Sequence, residues 1–287
     1  MIRRSLPGTV NSTLPIGRRR PQPFAIKRTV TKPKPKPKPK YAKEIHIEQY
    51  TCTDLQNVTA PPVDVNVPWL AWPAFLQPMF VISLRPKRYV SFLDRMKRWR
   101  THVQLIPATD GRKINRDQWA SVNRLNTDQL TNGQIGCYES HVRVWRRIVD
   151  QNLPYALVFE DDVDIRYTQE TVDKLNEVVA ELKTVPNWDI VYIGNDAAKP
   201  GGNGQLRFPP KRQHTPHLAD VSDWEVLHMY LITKRAAQCF LQDAFPIRAA
   251  VDVYMGSVLY KHNIVALGMV PSLAWTVPNE SDTNRTI

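Results

Sequence analysis

The 287-residue chain has little cysteine: Cys52, Cys137 and Cys239 are all there is, with no C-x-x-C pair. That scarcity excludes a dense disulfide framework, and the missing pair gives no sign of structural zinc. A run of membrane length is also lacking. The apolar stretch Val67–Leu76 is about half of the roughly 20 residues a spanning helix needs, and Pro68 and Pro73 interrupt it. The basic residues after Met1 are not followed by an apolar segment, so no secretory signal is read. A cytoplasmic protein, soluble or peripherally membrane-associated, is the expectation. Most of the chain lacks a charge surplus too. Of the net +12, 13 of the 39 Lys+Arg but only 2 of the 27 Asp+Glu precede Gln49. The remainder carries 26 basic against 25 acidic residues. Bulk charge therefore gives no argument for a nucleic-acid-binding domain, and no specific nucleic-acid partner is expected.

What is present divides the chain in three. Residues 1–48 hold Arg18-Arg19-Arg20 and the alternation Lys32-Pro33 through Pro39-Lys40. Proline at every second position fixes φ and removes backbone donors, while the lysines repel one another. A disordered, extended basic arm follows, suited to tethering on an anionic surface. Residues 49–77, broken by Pro61-Pro62, Pro68 and Pro73, read as an irregular lead-in.

Residues 78–287 read as one folded domain. Met79–Leu84 is a short apolar run, hence a buried strand, and Pro86 suits the first turn of the helix after it. His102–Pro107 is a second strand. After a polar connector, Thr131-Asn-Gly-Gln134 opens a helix to about Asp150. Tyr155–Phe159 is a strand, Gln169–Leu182 an amphipathic helix, and Trp188–Gly194 a strand. Pro200–Pro216 is a long glycine- and proline-containing loop. Val226–Thr233 is a strand, Lys234–Leu241 and Val251–Tyr260 are helices, and Ile264–Val270 is a last strand. Strands separated by helices predict an α/β domain with a mostly parallel central sheet.

The chemical lead is Glu160-Asp161-Asp162, three carboxylates at the end of the strand through Phe159. Ligands in open α/β sheets bind at the carboxyl ends of strands. Adjacent carboxylates repel unless a cation compensates, and hard oxygens suit Mg²⁺ or Mn²⁺. The bland alternative is a solvated acidic junction. A second segment, Gly133-Gln-Ile-Gly136-Cys137-Tyr-Glu-Ser140-His141, fails as a phosphate loop, having two glycines and no Lys-Ser/Thr after them. Ser140 and His141 fail as a nucleophilic pair, since helix neighbours face about 100° apart. Helix packing and capping is the plain reading of that segment.

Taken in order, these segments resemble glycosyltransferase family 25. Val81-Ile-Ser-Leu-Arg85 to Arg88 is similar to the family's opening strand, and Ala108-Thr-Asp110-Gly111 to its A-x-D-G turn. Gly136-Cys137-Tyr-Glu-Ser140-His141 followed by Trp145 resembles its G-C-x-x-S-H…W helix. Leu157-Val-Phe-Glu160-Asp161-Asp162 resembles its V-x-E-D-D element, and Trp188–Gly194, Tyr230–Thr233, Val251–Tyr254 and Ser281-Asp282 fit its later parts. The resemblance implies a GT-A-like fold, a UDP-sugar donor carrying galactose or glucose, and inverting transfer to a hydroxyl on a glycan, a lipid-linked sugar or a protein. It implies Mn²⁺ or Mg²⁺ on Asp162, with Asp161 as the other carboxylate ligand. Glu160 or Asp161 would face the donor, Ser83, Leu84 and Asp110 would lie near the uridine, and Arg88 would meet a phosphate. Asp252 would serve as base or acceptor-orienting group, with helix capping the plain alternative. His228 and His262 are further metal candidates, for which ordinary packing is the default. Two rivals share the fold class: a nucleotidyltransferase, whose glycine-rich loop is missing at Arg85-Pro86-Lys87-Arg88, and a non-catalytic binding protein. The oligomeric state is left open by the sequence.

Overall fold

The computed structural model describes residues 72–96, 99, 101–194, 212–221 and 227–277. The basic arm, most of the lead-in, most of the Pro200–Pro216 loop and Ser281-Asp282 lie outside the described residues. After a 3₁₀ turn at Ala74–Leu76 come β1 (Met79–Ser83), α1 (Pro86–Met96) and β2 (Val103–Pro107). A second 3₁₀ turn at Gly111–Lys113 precedes α2 (Arg116–Ser121) and α3 (Asn132–Asp150). Then follow β3 (Tyr155–Glu160), β4 (Val163–Ile165), α4 (Gln169–Leu182), β5 (Ile190–Tyr192), β6 (Leu218–Asp220) and β7 (Met229–Thr233). The last elements are α5 (Lys234–Gln242), α6 (Val251–Lys261), β8 (Ala266–Met269) and β9 (Ala274–Thr276).

Seven strands form one sheet in the order β2-β1-β3-β7-β5-β8-β6. Pairs β1·β2, β1·β3 and β5·β8 are parallel, whereas β7 and β6 are antiparallel to their neighbours. Five of the seven strands therefore run the same way, the mostly parallel sheet that the alternation of strands and helices predicts, with β7 reversed in its middle and β6 at its edge. A separate two-stranded ladder joins β4 to β9.

Burial on both faces explains why β1 is an unbroken apolar run and not an alternating one. Side chains in a strand alternate in direction, so Met79 and Val81 enter one core while Phe80 and Ile82 enter the other. The first core takes Phe92 and Met96 of α1 and Val172, Leu175 and Val179 of α4. The second takes Tyr138, Val142 and Trp145 of α3 with Phe240 of α5 and Met255 of α6. Each such fully buried side chain contributes about 1.5–3 kcal/mol, so the sheet edge is held by packing above and below. No helix among the described residues is long and apolar enough to cross a membrane.

Several expectations need correcting. The polar connector before Thr131 contains α2, which buries none of its residues and so carries no apolar signal. The strands read at Trp188–Gly194 and Ile264–Val270 are shorter, Ile190–Tyr192 and Ala266–Met269, and β4, β6 and β9 are additional three-residue strands.

Candidate active site

The carboxyl ends of β1, β2 and β3 lie level, because Ser83 is opposite Pro107 and Ile82 is opposite Glu160. Strand β7 enters the sheet at the same edge, with Met229 opposite Phe159, and the residue before it, His228, accepts the Glu160 amide on its carbonyl at 3.0 Å. The acidic triplet thus leaves β3 into a place walled by four strands and by α3.

Its backbone is pinned. Arg95 of α1 donates to the carbonyls of Asp161 (2.7 Å) and Val163 (3.1 Å), and the Val277 amide donates to the Asp162 carbonyl at 2.7 Å. The three side chains then take different directions. Asp161 is buried; its Oδ2 accepts the Ser83 hydroxyl at 2.5 Å and its Oδ1 pairs with the Arg88 guanidinium. Arg88 also stands 3.4 Å from Asp162 Oδ2. Asp162 is buried as well, but its Oδ1 has no hydrogen-bond partner among the described residues. Burial, reinforced by the charge of Glu160, pushes the Asp162 carboxyl up to about 7 against the opposing pull of Arg88.

Glu160 goes the other way. Burial alone would raise it, but the imidazoles of His141 and His228 hold its carboxyl well below the usual range. His141 Nε2 lies 3.4 Å from Glu160 Oε1, and His228 Nδ1 lies 3.7 Å from Oε2. The other nitrogen of His141 is 2.8 Å from the Tyr230 hydroxyl. With Glu160 ionised and therefore only an acceptor, each nitrogen of the His141 ring faces an oxygen, the donor and acceptor roles following its tautomer. Ligand atoms of Glu160, Asp162 and His228 all lie within 4.8 Å of one another, and so do those of Cys137, His141 and Glu160.

Helix α3 holds its side of the site by close backbone contact. A Cβ on Gly136 would lie 2.6 Å from the Thr109 carbonyl, and one on Gly111 only 2.2 Å from the Asn132 carbonyl. Glycine at both positions lets the Ala108–Gly111 turn sit against the start of α3. Ser140 completes the joint, accepting the Thr109 amide at 2.9 Å while donating to the Gly136 carbonyl at 2.6 Å. Thr131 and Gln134 close the helix with a capping box. Packing and capping therefore describe Gly136 and Ser140 correctly, but not His141, which reaches Glu160.

Beside this turn is a cavity of about 570 Å³ lined by Leu84, Asp110, Arg112, Lys113, Trp119 and Arg143 among others. The sequence reading put Leu84 and Asp110 together, and they share this cavity. Asp110 caps the 3₁₀ turn and is forked by Arg112 at 2.8 and 2.9 Å, which holds its carboxyl below the ordinary value.

The structure thus brings Ser83, Arg88, Glu160, Asp161 and Asp162 into one cluster, with Leu84 and Asp110 alongside. Asp252, in the first turn of α6, accepts its neighbour's amide from Val253 at 2.8 Å, and its charge is felt at Cys137 and Tyr192. His262 stands elsewhere, 2.7 Å from Asp243. His141 is the group that sequence reasoning set aside. Its signal was the spacing of four from Cys137, which puts both on one helical face.

Comparison with known proteins follows this geometry. Residues 76–255 match the model described as glycosyltransferase family 25 (LPS biosynthesis protein). Procollagen galactosyltransferase 2 of Mus musculus is 29% identical over 206 residues, 65% of this chain and 31% of that protein. Procollagen galactosyltransferase 1 of Danio rerio is 28% identical over 229 residues, 72% of this chain and 36% of that protein. The inactive glycosyltransferase 25 family member 3 of Mus musculus is 32% identical over 134 residues, 42% of this chain and 22% of that protein. The chain spans about a third of the length of the two galactosyltransferases it resembles. With the family model covering more than half of the chain, the chain belongs to glycosyltransferase family 25.

Proposed function

We propose that the chain is a GT-A-like hexosyltransferase that moves galactose, or glucose, from a UDP-sugar to a hydroxyl on a glycan, a lipid-linked sugar or a protein, with inversion and with Mn²⁺ or Mg²⁺ assisting. The observation that carries this reading is Asp162, whose buried Oδ1 has no hydrogen-bond partner among the described residues and which stands in a group with Glu160 and His228 whose ligand atoms lie within 4.8 Å of one another. A buried carboxylate left that way costs stability unless a cation completes it.

Two carboxylates and an imidazole fit a hard or borderline divalent ion. Asp162, Glu160 and His228 would hold it, and Asp161, read from the sequence as a ligand, is engaged instead by Ser83 and Arg88. When bound, the ion supplies Lewis-acid stabilisation of the diphosphate leaving group. The chain's own residues do the rest. Glu160 stays ionised through His141 and His228, Arg95 and Val277 fix the acidic turn, and Arg88 brings positive charge to the phosphate side. Asp252 is assigned to receive the acceptor's proton or orient its hydroxyl. The cavity with Leu84, Asp110 and Trp119 is assigned to the nucleoside. The basic arm over 1–48 is assigned to an anionic surface, and residues 78–287 are taken as the catalytic unit.

Only Leu84 and Arg85 separate β1 from α1, which leaves no room for the glycine-rich loop of a nucleotidyltransferase. The inactive relative at 32% identity favours one other reading, a domain that binds without turnover. Release of UDP from a panel of nucleotide sugars, with and without Mn²⁺, separates the two. Metal-stimulated release with UDP-galactose or UDP-glucose, abolished by Asp162→Ala in folded protein, is the expected result. No release from any donor overturns the catalytic reading, and unchanged release in the variant overturns the metal assignment.

A further inference from the structure

The two oxygens of Glu160 face different neighbours. Oε2 looks to His228, and Oε1 looks to α3, where Cys137 Sγ is 3.8 Å away and His141 Nε2 is 3.4 Å away. From this geometry we infer a second metal site, specific for a thiophilic divalent ion such as Zn²⁺, made by Cys137, His141 and Glu160.

The distances carry the case. A tetrahedral ion with Zn–S of about 2.3 Å and Zn–N and Zn–O of about 2.0–2.1 Å holds nitrogen and oxygen ligands about 3.4 Å apart, sulfur and oxygen about 3.6 Å. The observed spacings to Glu160 Oε1 are 3.4 and 3.8 Å, close to those values, and all three ligand atoms lie within 4.8 Å of one another. Cys137 and His141 are four apart on a 19-residue helix, and α3 is buttressed at Gly136 and Ser140, so their relative position is fixed before any ion arrives. His141 Nδ1 is already held by Tyr230, the kind of outer contact that orients a ligating imidazole. Cys137 is outside any disulfide and only partly buried. Binding displaces the thiol proton to solvent and leaves a thiolate on the metal, while His141 ligates as the neutral tautomer with its proton on Nδ1, donated to the Tyr230 hydroxyl, and Nε2 free; no redox step is involved. Softness separates the two sites: thiolate and imidazole select Zn²⁺ or Cd²⁺, whereas the carboxylate-rich set of Glu160, Asp162 and His228 suits Mg²⁺ and Mn²⁺. Three protein ligands leave a fourth position open.

The test reads binding and not turnover, so its failure is distinct from failure of the transferase reading. Co²⁺ added to the metal-free 287-residue chain should produce the near-ultraviolet absorption of a cobalt thiolate, and Zn²⁺ should bleach it. Cys137→Ser should abolish the absorption and weaken Zn²⁺ binding about tenfold or more. Asp162→Asn should keep the absorption. If Cys137→Ser does not fold, alkylation of Cys137 in the wild type, followed by peptide mass spectrometry, should be slowed by Zn²⁺ and not by Mg²⁺. Absence of the cobalt thiolate signal, equal Zn²⁺ affinity in folded Cys137→Ser, loss of the signal in folded Asp162→Asn, or unprotected alkylation would each overturn the site.

Discussion

Asp162 and Asp189 are both buried aspartates at the ends of sheet strands, yet their surroundings are opposite. Around Asp189, just before β5, Arg235 and the Val265 amide (2.9 Å) meet one carboxylate oxygen, and the Thr233 hydroxyl lies 3.4 Å from the other. Around Asp162 one oxygen is left over among the described residues, and the nearby groups include the like charge of Glu160. A carboxylate whose oxygens are all answered within the protein fastens two elements together. One that is left incomplete in a dry place is available for something that arrives later.

The contrast can be broken most forcefully at the fastened residue. Asp189→Ala should lower stability by about 3 kcal/mol, the low end of the range for breaking a buried ion pair because Arg235 is partly exposed. Urea unfolding checks this, and a loss under about 1 kcal/mol would remove the distinction drawn here. Next is Asp162→Ala, expected to reduce metal-dependent donor turnover about a hundredfold or more, equivalent to about 2.7 kcal/mol, with little loss of stability. A variant as active as the wild type would mean the leftover oxygen has no role in the reaction.

Gly136→Ala sharpens the comparison from the side of α3. The added methyl meets the Thr109 carbonyl, so the helix must retreat and carry His141 away from Glu160. A stability loss of about 1–3 kcal/mol with reduced turnover is expected, read from unfolding midpoints and initial rates. The smallest effect is on pH dependence. In metal-free protein Asp162 keeps its proton to about 7, against an ordinary value of 3.8. The folded state then binds more protons than the unfolded chain between those limits, so this residue makes stability fall as pH rises through that window. The depressed Glu160 acts in the opposite sense and below it, adding stability that is lost as pH falls from its ordinary 4.5. Asp162→Asn should flatten the decline between about pH 4 and 7 in urea midpoints with chelator present. Parallel profiles for the two proteins would count against the burial argument.

Much of the fold is legible in the sequence, for reasons that differ by element. Helix α4 can be read from Gln169 to Leu182 because Val172, Leu175, Val179 and Leu182 recur at helical spacing. Strands β1 and β3 can be read because both faces are covered and the apolar run is continuous. Helix α2 has no buried side chain, and β4, β6 and β9 are three residues each, too short to show a period; pairing with distant partners defines them. At the site, the acidic triplet announces itself as a strand end. What separates Asp161 from Asp162 does not, because it depends on Ser83, 78 residues earlier, and on Arg88. His228 could be named from the sequence only as a candidate beside His262, because its neighbour Glu160 is known only once β7 is paired.

The reversed direction of β7 has one more consequence. Ladder hydrogen bonds fix Met229 against Phe159, so His228 and Glu160 stay adjacent whatever lies between them in the chain. Run in the other sense, the same five residues would carry His228 about 17 Å away, to the far rim of the sheet. The ladder, and not the intervening segment, aims the histidine at the acidic centre.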